Sequence, residues 1–282
     1  MSTPAVQVRD LRKHYGPKKA VDGLDLTVEH GEIFAVLGPN GAGKTTTVEI
    51  LEGYRHRDGG EVSVLGVDPR SADRAWRSRV GVVLQSASDH SELTVREMVT
   101  TFGRYYPSPR DTDEVIAAVG LTDKARTRTG QLSGGQRRRL DVALGIVGKP
   151  EMLFLDEPTT GFDPEARRAF WDLIESLRDG GTTILLTTHY MDEAERLADR
   201  CAVVRDGRVV ALDHPARLGN RARQQAHVRW TVDGLLHEEK TTTPSALVAE
   251  LSTRFGGEVP GLEVQRPTLE DVYLELVGEA GR

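Results

Sequence analysis

The chain's clearest chemistry is in Gly38-Pro39-Asn40-Gly41-Ala42-Gly43-Lys44-Thr45, which has the spacing of a phosphate-binding loop. Glycines at 38, 41 and 43 let the backbone fold tightly enough for its N–H groups to point inward at phosphate oxygens, and a following helix adds the positive end of its dipole. Lys44 is the cation for β- and γ-phosphates, Thr45 offers a hydroxyl to Mg²⁺, and Thr46 is counted with the loop. A second group is Asp156-Glu157, two carboxylates at the end of the apolar run Met152-Leu153-Phe154-Leu155. A capping role is the plain reading of Asp156, but beside a phosphate loop the pair assigns Asp156 to the metal, through water, and Glu157 to polarising an attacking water.

Those residues need elements to position them. Val6, Val8 and Leu11, then Leu24, Leu26 and Val28, alternate with polar neighbours, and Ile33 to Leu37 is a short apolar run ending at Gly38. All read as strands, the last a central one because a strand buried on both faces is continuously apolar. Lys44 to Glu52 reads as a helix stopped by Gly53, so strand, glycine loop and helix follow one another. From about Ser86 to Lys149 the spacing is helical (Val95, Met98, Val99, Phe102; then Val115, Ile116, Val119), broken by Pro107 and Pro109. Strands resume at Met152 to Leu155 and Thr183 to Thr187, and Ala202–Arg205 with Arg208–Leu212 flank Asp206-Gly207 as a hairpin. After about Asn220 a tail begins, with an alternating segment (Val228, Trp230, Val232), a loop at Thr241 to Pro244 and an amphipathic stretch around Leu247 and Leu251. Its last helix opens on a Thr268/Asp271 capping box and carries the stripe Leu269, Val272, Tyr273, Leu276 and Val277.

Composition narrows the classes. The balance of 37 basic and 43 acidic residues, net charge -6, argues against nucleic acid as a partner, since phosphate contacts dominate that affinity. The single cysteine, Cys201, in an apolar run, excludes a disulfide framework and reads as a buried thiol. No run approaches the ~18 to 20 consecutive apolar residues of a membrane helix, and Met1 to Asp10 carries no apolar signal region. The expectation is a soluble cytosolic chain that reaches a membrane only through a partner.

A phosphate loop and an acidic strand end occur in many nucleotide-hydrolysing proteins. Leu132-Ser133-Gly134-Gly135-Gln136 is more specific: it opens a predicted helix, so its hydroxyl and glycine N–H groups form a second anion-binding surface for which one nucleotide in one chain has no obvious use. With this pentapeptide the sequence resembles the ABC ATPase family over roughly residues 4 to 220. The resemblance implies an α/β fold of the P-loop NTPase type, with a RecA-like mixed-sheet core (about 1–85 and 150–220), a helical subdomain (about 86–149) and a small α+β accessory domain at 221–282. It implies ATP and Mg²⁺ as ligands, and two chains paired head to tail so that Ser133, Gly134, Gly135 and Gln136 close over the γ-phosphate held by the other copy. By the same resemblance Tyr15 stacks on adenine, Gln85 senses Mg²⁺ and the membrane partner, Asp163 crosses between subunits, and His189 contacts the γ-phosphate and joins Glu157 and Lys44 in catalysis.

Each of these residues also has an ordinary structural reading: Tyr15 as an exposed loop aromatic, Gln85 and His189 as strand ends, Asp163 before Pro164 as a helix N-cap. Phe162 stands where the family usually has leucine. The segment Pro267 to Gly278 is similar to the C-terminal element of drug- and antibiotic-exporting members of the daunorubicin-resistance type. That implies a subunit on the cytoplasmic face of the membrane, driving a separate transmembrane permease in export; import, or lipid and polysaccharide transport, is the other direction this tail leaves open. The competing function is a soluble ABC ATPase acting on nucleic acid or ribosomes. The acidic balance, a single phosphate loop and the lack of a long heptad run between Lys44 and Asp156 oppose it. A regulator that no longer hydrolyses ATP is opposed by the presence of Glu157 and His189.

Overall fold

A computed structural model describes residues 3–83 and 92–278, and the chain divides into two compact units, Met1–Leu212 and Asp213–Arg282. In the first unit the elements run β1 (Val6–Tyr15), β2 (Lys18–Val28), β3 (Ile33–Leu37), α1 (Lys44–Leu51), β4 (Gly59–Val64), α2 (Arg74–Arg77) and β5 (Val80–Val83). Three helices follow, α3 (Val95–Gly103), α4 (Thr112–Ala118) and α5 (Gly134–Ile146). The unit then returns to alternation with β6 (Met152–Asp156), α6 (Pro164–Asp179), β7 (Thr183–Thr187), α7 (Met191–Leu197), β8 (Arg200–Arg205) and β9 (Arg208–Asp213).

The strands form two sheets. One is antiparallel, in the order β2-β1-β4, with Val6 opposite both Val28 and Val64. The other runs β5-β6-β7-β3-β8-β9, and its core pairs β5/β6, β6/β7, β7/β3 and β3/β8 are parallel. β3 lies inside it, as its unbroken apolar run predicts, and all five of its residues are buried. One apolar cluster joins the inner faces of β1, β2 and β4 to Val48, Ile50 and Leu51 of α1 and to Phe34, Phe154 and Leu185 of the larger sheet. Each fully buried side chain of that size contributes about 1.5–3 kcal/mol, so α1 is fixed between two sheets.

Register decides where chemistry happens. Val36 of β3 sits opposite Thr187 of β7, Asp156 of β6 opposite the same Thr187, and Leu37 opposite Val203 of β8. The C-terminal ends of β3, β6 and β7 therefore share one sheet edge, where open parallel sheets place their ligands. The loops that start there, at Gly38, Glu157 and Thr188, carry the residues singled out from sequence.

The helical stretch folds on strong local signals. Thr94 and Glu97 close a capping box on α3, Asp111 caps α4 through Asp113 N and Glu114 N, and Ser133 and Gln136 close a second box on α5. Val95, Met98, Val99, Val115 and Ile116 are buried, as their helical spacing predicts.

The second unit is a sheet ordered β11-β10-β12, from β10 (Ala226–Val232), β11 (Leu235–Thr241) and β12 (Glu263–Gln265), with α8 (Pro244–Phe255) and α9 (Leu269–Gly278). β10 and β11 form a hairpin in which Val232 faces Leu235 across Asp233-Gly234, both at positive φ. Val228, Trp230, Leu251 and Val259 make its small core. The capping box of α9 is present, with Thr268 N donating to Asp271 Oδ2 (2.7 Å) and Asp271 N to Thr268 Oγ1 (3.1 Å). Leu269 and Val272 of the stripe are buried, and Tyr273, Leu276 and Val277 are half-buried.

Candidate functional site

The loop from Gly38 to Gly43 wraps back on itself because two of its glycines have no alternative. A Cβ on Gly38 would lie 2.3 Å from Val204 O, and one on Gly43 would lie 2.3 Å from Ala20 O with φ at +103°. Gly43 is also the residue from which α1 departs. The result is a cleft of about 420 Å³ lined by Tyr15, Lys18, Ala20, Asn40, Gly41, Gly43, Lys44, Thr45, Thr46 and Glu157. At its floor Lys44 is buried, and its Nζ donates to Gly38 O (2.6 Å) and Pro39 O (3.1 Å). Burial lowers the Lys44 ammonium's pKa, and the charges of Glu157 and Asp156 work against that. The lysine is thus folded onto the carbonyls of its own loop, within the field of two carboxylates.

The acidic wall comes from β6 and β7. Thr187 binds Asp156 through its hydroxyl, and the same threonine's carbonyl and hydroxyl each accept from Glu157 N at 3.1 Å. Glu157 adopts φ +45°, a left-handed conformation uncommon for a residue with a side chain. The turn sends its carboxylate into the cleft, 3.4 Å from His189 Nδ1. His189 is half exposed and tilted against Tyr190, with 4.1 Å between ring centroids and 38° between ring planes, and the Arg167 guanidinium is 4.5 Å from the Tyr190 ring. Tyr15 is 40% exposed at the cleft mouth, flanked by Lys13 Nζ at 5.6 Å and the Arg55 guanidinium at 5.4 Å from its ring centroid.

Other sequence candidates lie apart from the cleft. Asp163 caps α6 by accepting from Ala166 N (2.7 Å), which is its ordinary structural role. Phe162 beside it is buried edge-on against Phe170. Ser133 and Gly134 are exposed, Gly135 and Gln136 half-buried, and none of them lines the cleft of its own chain. Gln85 lies outside the described residues. Sequence reasoning passed over Lys18, whose ammonium faces the loop 4.0 Å from where a Gly41 Cβ would sit. The available signal was a lysine pair just past Tyr15-Gly16. It also passed over Thr187, which has no motif of its own and acts by being opposite Asp156.

A strand, a tight glycine loop at a helix N-terminus and a carboxylate pair at the end of β6, two strands away on the same sheet edge, define a P-loop nucleoside-triphosphate site. Residues 21–160 match the ABC transporter family model. The whole chain is similar to the daunorubicin resistance ATP-binding protein DrrA3 of Streptomyces coeruleorubidus, 40% identical over 100% of this chain and 98% of that one. It is also similar to Nod factor export ATP-binding protein I of Burkholderia orbicola (strain AU 1054), 39% identical over 99% and 98%. Among solved structures it shares its fold with the ATP-binding cassette MJ0796 in a dimeric post-hydrolysis state bound to ADP and Pi, at TM-score 0.67 and 23% identity over 74% of this chain and 98% of that one. The chain belongs to the ATP-binding subunits of ABC transporters and is an ABC-type ATPase.

Proposed function

We propose that the chain hydrolyses ATP as one half of a head-to-tail homodimer and thereby drives a separate transmembrane permease that exports a drug, antibiotic or other hydrophobic compound. The observation that carries this reading is that Lys44 and Glu157 line one cleft, with His189 3.4 Å from Glu157, while Ser133 and Gly134, the other phosphate-binding surface, stay exposed and away from it. A second copy supplies the missing surface. Export is supported by the relatives, one named for Nod factor export and one for daunorubicin resistance. No helix among the described residues is long and apolar enough to cross a membrane. In this proposal the chain works at the cytoplasmic face through a membrane-spanning partner.

In this reading loop N–H groups of Asn40, Gly41, Ala42 and Gly43, in a loop shaped by Gly38 and Pro39 and continued by Thr46, surround the phosphates, Lys44 neutralises them, and Tyr15 takes the adenine. The donors beside the phosphates are the Thr45 hydroxyl and Asp156, all oxygen, which suits Mg²⁺. Asp156 keeps one carboxylate oxygen beyond the one bound by Thr187. Gln85 completes that group in the family pattern. When bound, the cation screens charge on the phosphates. Glu157 accepts a proton from the attacking water, His189 orients toward the γ-phosphate, and Asp163 reaches the partner while capping α6.

Glu157→Gln tests this, because the amide keeps the shape and cannot take the proton. Removing a general base costs about 10²–10⁴ in rate, so ATP is expected to bind and to hold the variant as a dimer in size exclusion, while ADP does not. Turnover within a few-fold of wild type removes Glu157 from the role. Affinity capture from detergent-solubilised membranes is expected to bring down a polytopic protein; recovery of ribosomal components instead would favour the competing reading.

A further inference from the structure

The left-handed turn at Glu157 has to be held from outside, since such backbone strain costs about 1–3 kcal/mol and persists only where the surroundings over-determine it. Two buried charged residues, neither in the cleft lining, do the holding. Arg138 is in the second turn of α5, the helix opened by Ser133, and only 8% of it is exposed. Its Nη2 donates to Asp156 O at 2.5 Å and its Nε to Pro158 O at 3.1 Å. One guanidinium thus grips the carbonyls on either side of Glu157. The planar fork of arginine makes that two-point grip, and a lysine ammonium does not.

From α7 comes Glu193, fully buried, whose Oε1 accepts from Trp171 Nε1 at 3.2 Å. Around it are the hydroxyls of Thr188, the residue before His189, and Thr159, the residue after Pro158, both fully buried. The Glu193 carboxyl interacts with both hydroxyls, so it ties the residue before His189 to the residue after Pro158. Burial raises the Glu193 carboxyl's pKa and lowers that of the Arg138 guanidinium, and the Glu193 charge is among those that support Arg138.

We propose that Arg138 and Glu193 are positioning residues that clamp the segment 156–159 from two sides, so that movement of the helix bearing Ser133 is transmitted to Glu157 and His189 of the same chain. The inference rests on the head-to-tail reading: Ser133 meets the partner's nucleotide, and the clamp reports that contact to the chain's own catalytic edge. Each ATP site then senses the other through one helix and two buried charged side chains.

The test uses the full chain carrying Arg138→Lys, Glu193→Gln, or both, with affinity for a fluorescent ATP analogue, steady-state turnover and thermal denaturation measured together. Nucleotide Kd is expected to stay within about two-fold of wild type, because neither residue lines the cleft, while Arg138→Lys lowers kcat about 10- to 100-fold, the scale for misplacing a catalytic group by an ångström. Residues acting as one unit are non-additive, so the double variant is expected to be no slower than the slower single variant. Thr159→Val, which removes only the hydroxyl facing Glu193 at constant shape, is the companion if Arg138→Lys does not fold; its kcat is expected to drop several-fold at unchanged Kd. The clamp is refuted by kcat within about two-fold of wild type in the single variants, by Kd and kcat falling in parallel, or by multiplicative losses in the double variant. Wild type that neither binds ATP nor dimerises with it would refute the functional reading instead, and that result is read before any variant is made.

Discussion

Truncating Lys44 to alanine separates two roles that one ammonium holds at once. In the structure its Nζ is committed to Gly38 O and Pro39 O, and the proposed ATP complex exchanges those bonds for phosphate oxygens. A hydrogen bond to a charged group contributes about 1.5–3 kcal/mol. At 1.4 kcal/mol per decade the substitution is expected to weaken ATP binding roughly 10- to 100-fold. Stability without nucleotide should change far less, because losing the two loop bonds is offset by no longer burying a cation whose charged form burial already disfavours. Calorimetric titration with ATP and ADP, beside thermal denaturation, reads both quantities, and the loss should be larger for ATP because the γ-phosphate adds charge. Turnover should disappear. A well-folded Lys44→Ala protein that binds ATP within about three-fold of wild type and hydrolyses it would show that the ammonium stays on its loop carbonyls and that the phosphate charge is met elsewhere.

Ser133→Arg places a bulky cation on the exposed surface that is read as meeting the partner's nucleotide; monomer Kd should be unchanged and ATP-driven dimerisation lost in light scattering, whereas wild-type dimerisation would end the head-to-tail assignment. Gly43→Ala puts a Cβ 2.3 Å from Ala20 O at φ +103°, so a loss of at least about 1–3 kcal/mol with weakened nucleotide binding is expected, and wild-type melting and affinity would show that the loop relaxes without cost. Glu52 lies near Asp156 and Glu49, and its carboxyl is pushed up from 4.5 to about 8, chiefly by burial. The folded state therefore holds this proton more tightly than the unfolded state does; the group's contribution is complete below its unfolded value and is lost as pH rises through about 8. Glu52→Gln, assayed without nucleotide or Mg²⁺, should gain a few °C in Tm at pH 9 and much less at pH 5, on the scale of roughly 2–4 °C per kcal/mol; an equal gain at both pH values would remove ionisation as the cause.

Local sequence was enough where the physics is local. A glycine pattern between an apolar strand and a helix, or a Ser133/Gln136 capping box, depends on residues within a few positions of one another, and those elements stand where their spacing puts them. Unbroken apolar runs identified β3 and β6 because strands buried on both faces have no polar side to show. β11 gave no such sign: its side chains are nearly all exposed, and backbone pairing with β10 is what makes it a strand. Sheet order and register are non-local. Only they bring Thr187 opposite Asp156 and set Glu157 3.4 Å from His189, since residues 30 or more positions apart in the chain meet through packing that no window of sequence records. Arg138 and Glu193 are the extreme case. In sequence they are two more charges on helices, and the fold alone buries them against the segment that carries Glu157, because a charge is held inside only when the tertiary structure supplies its partners.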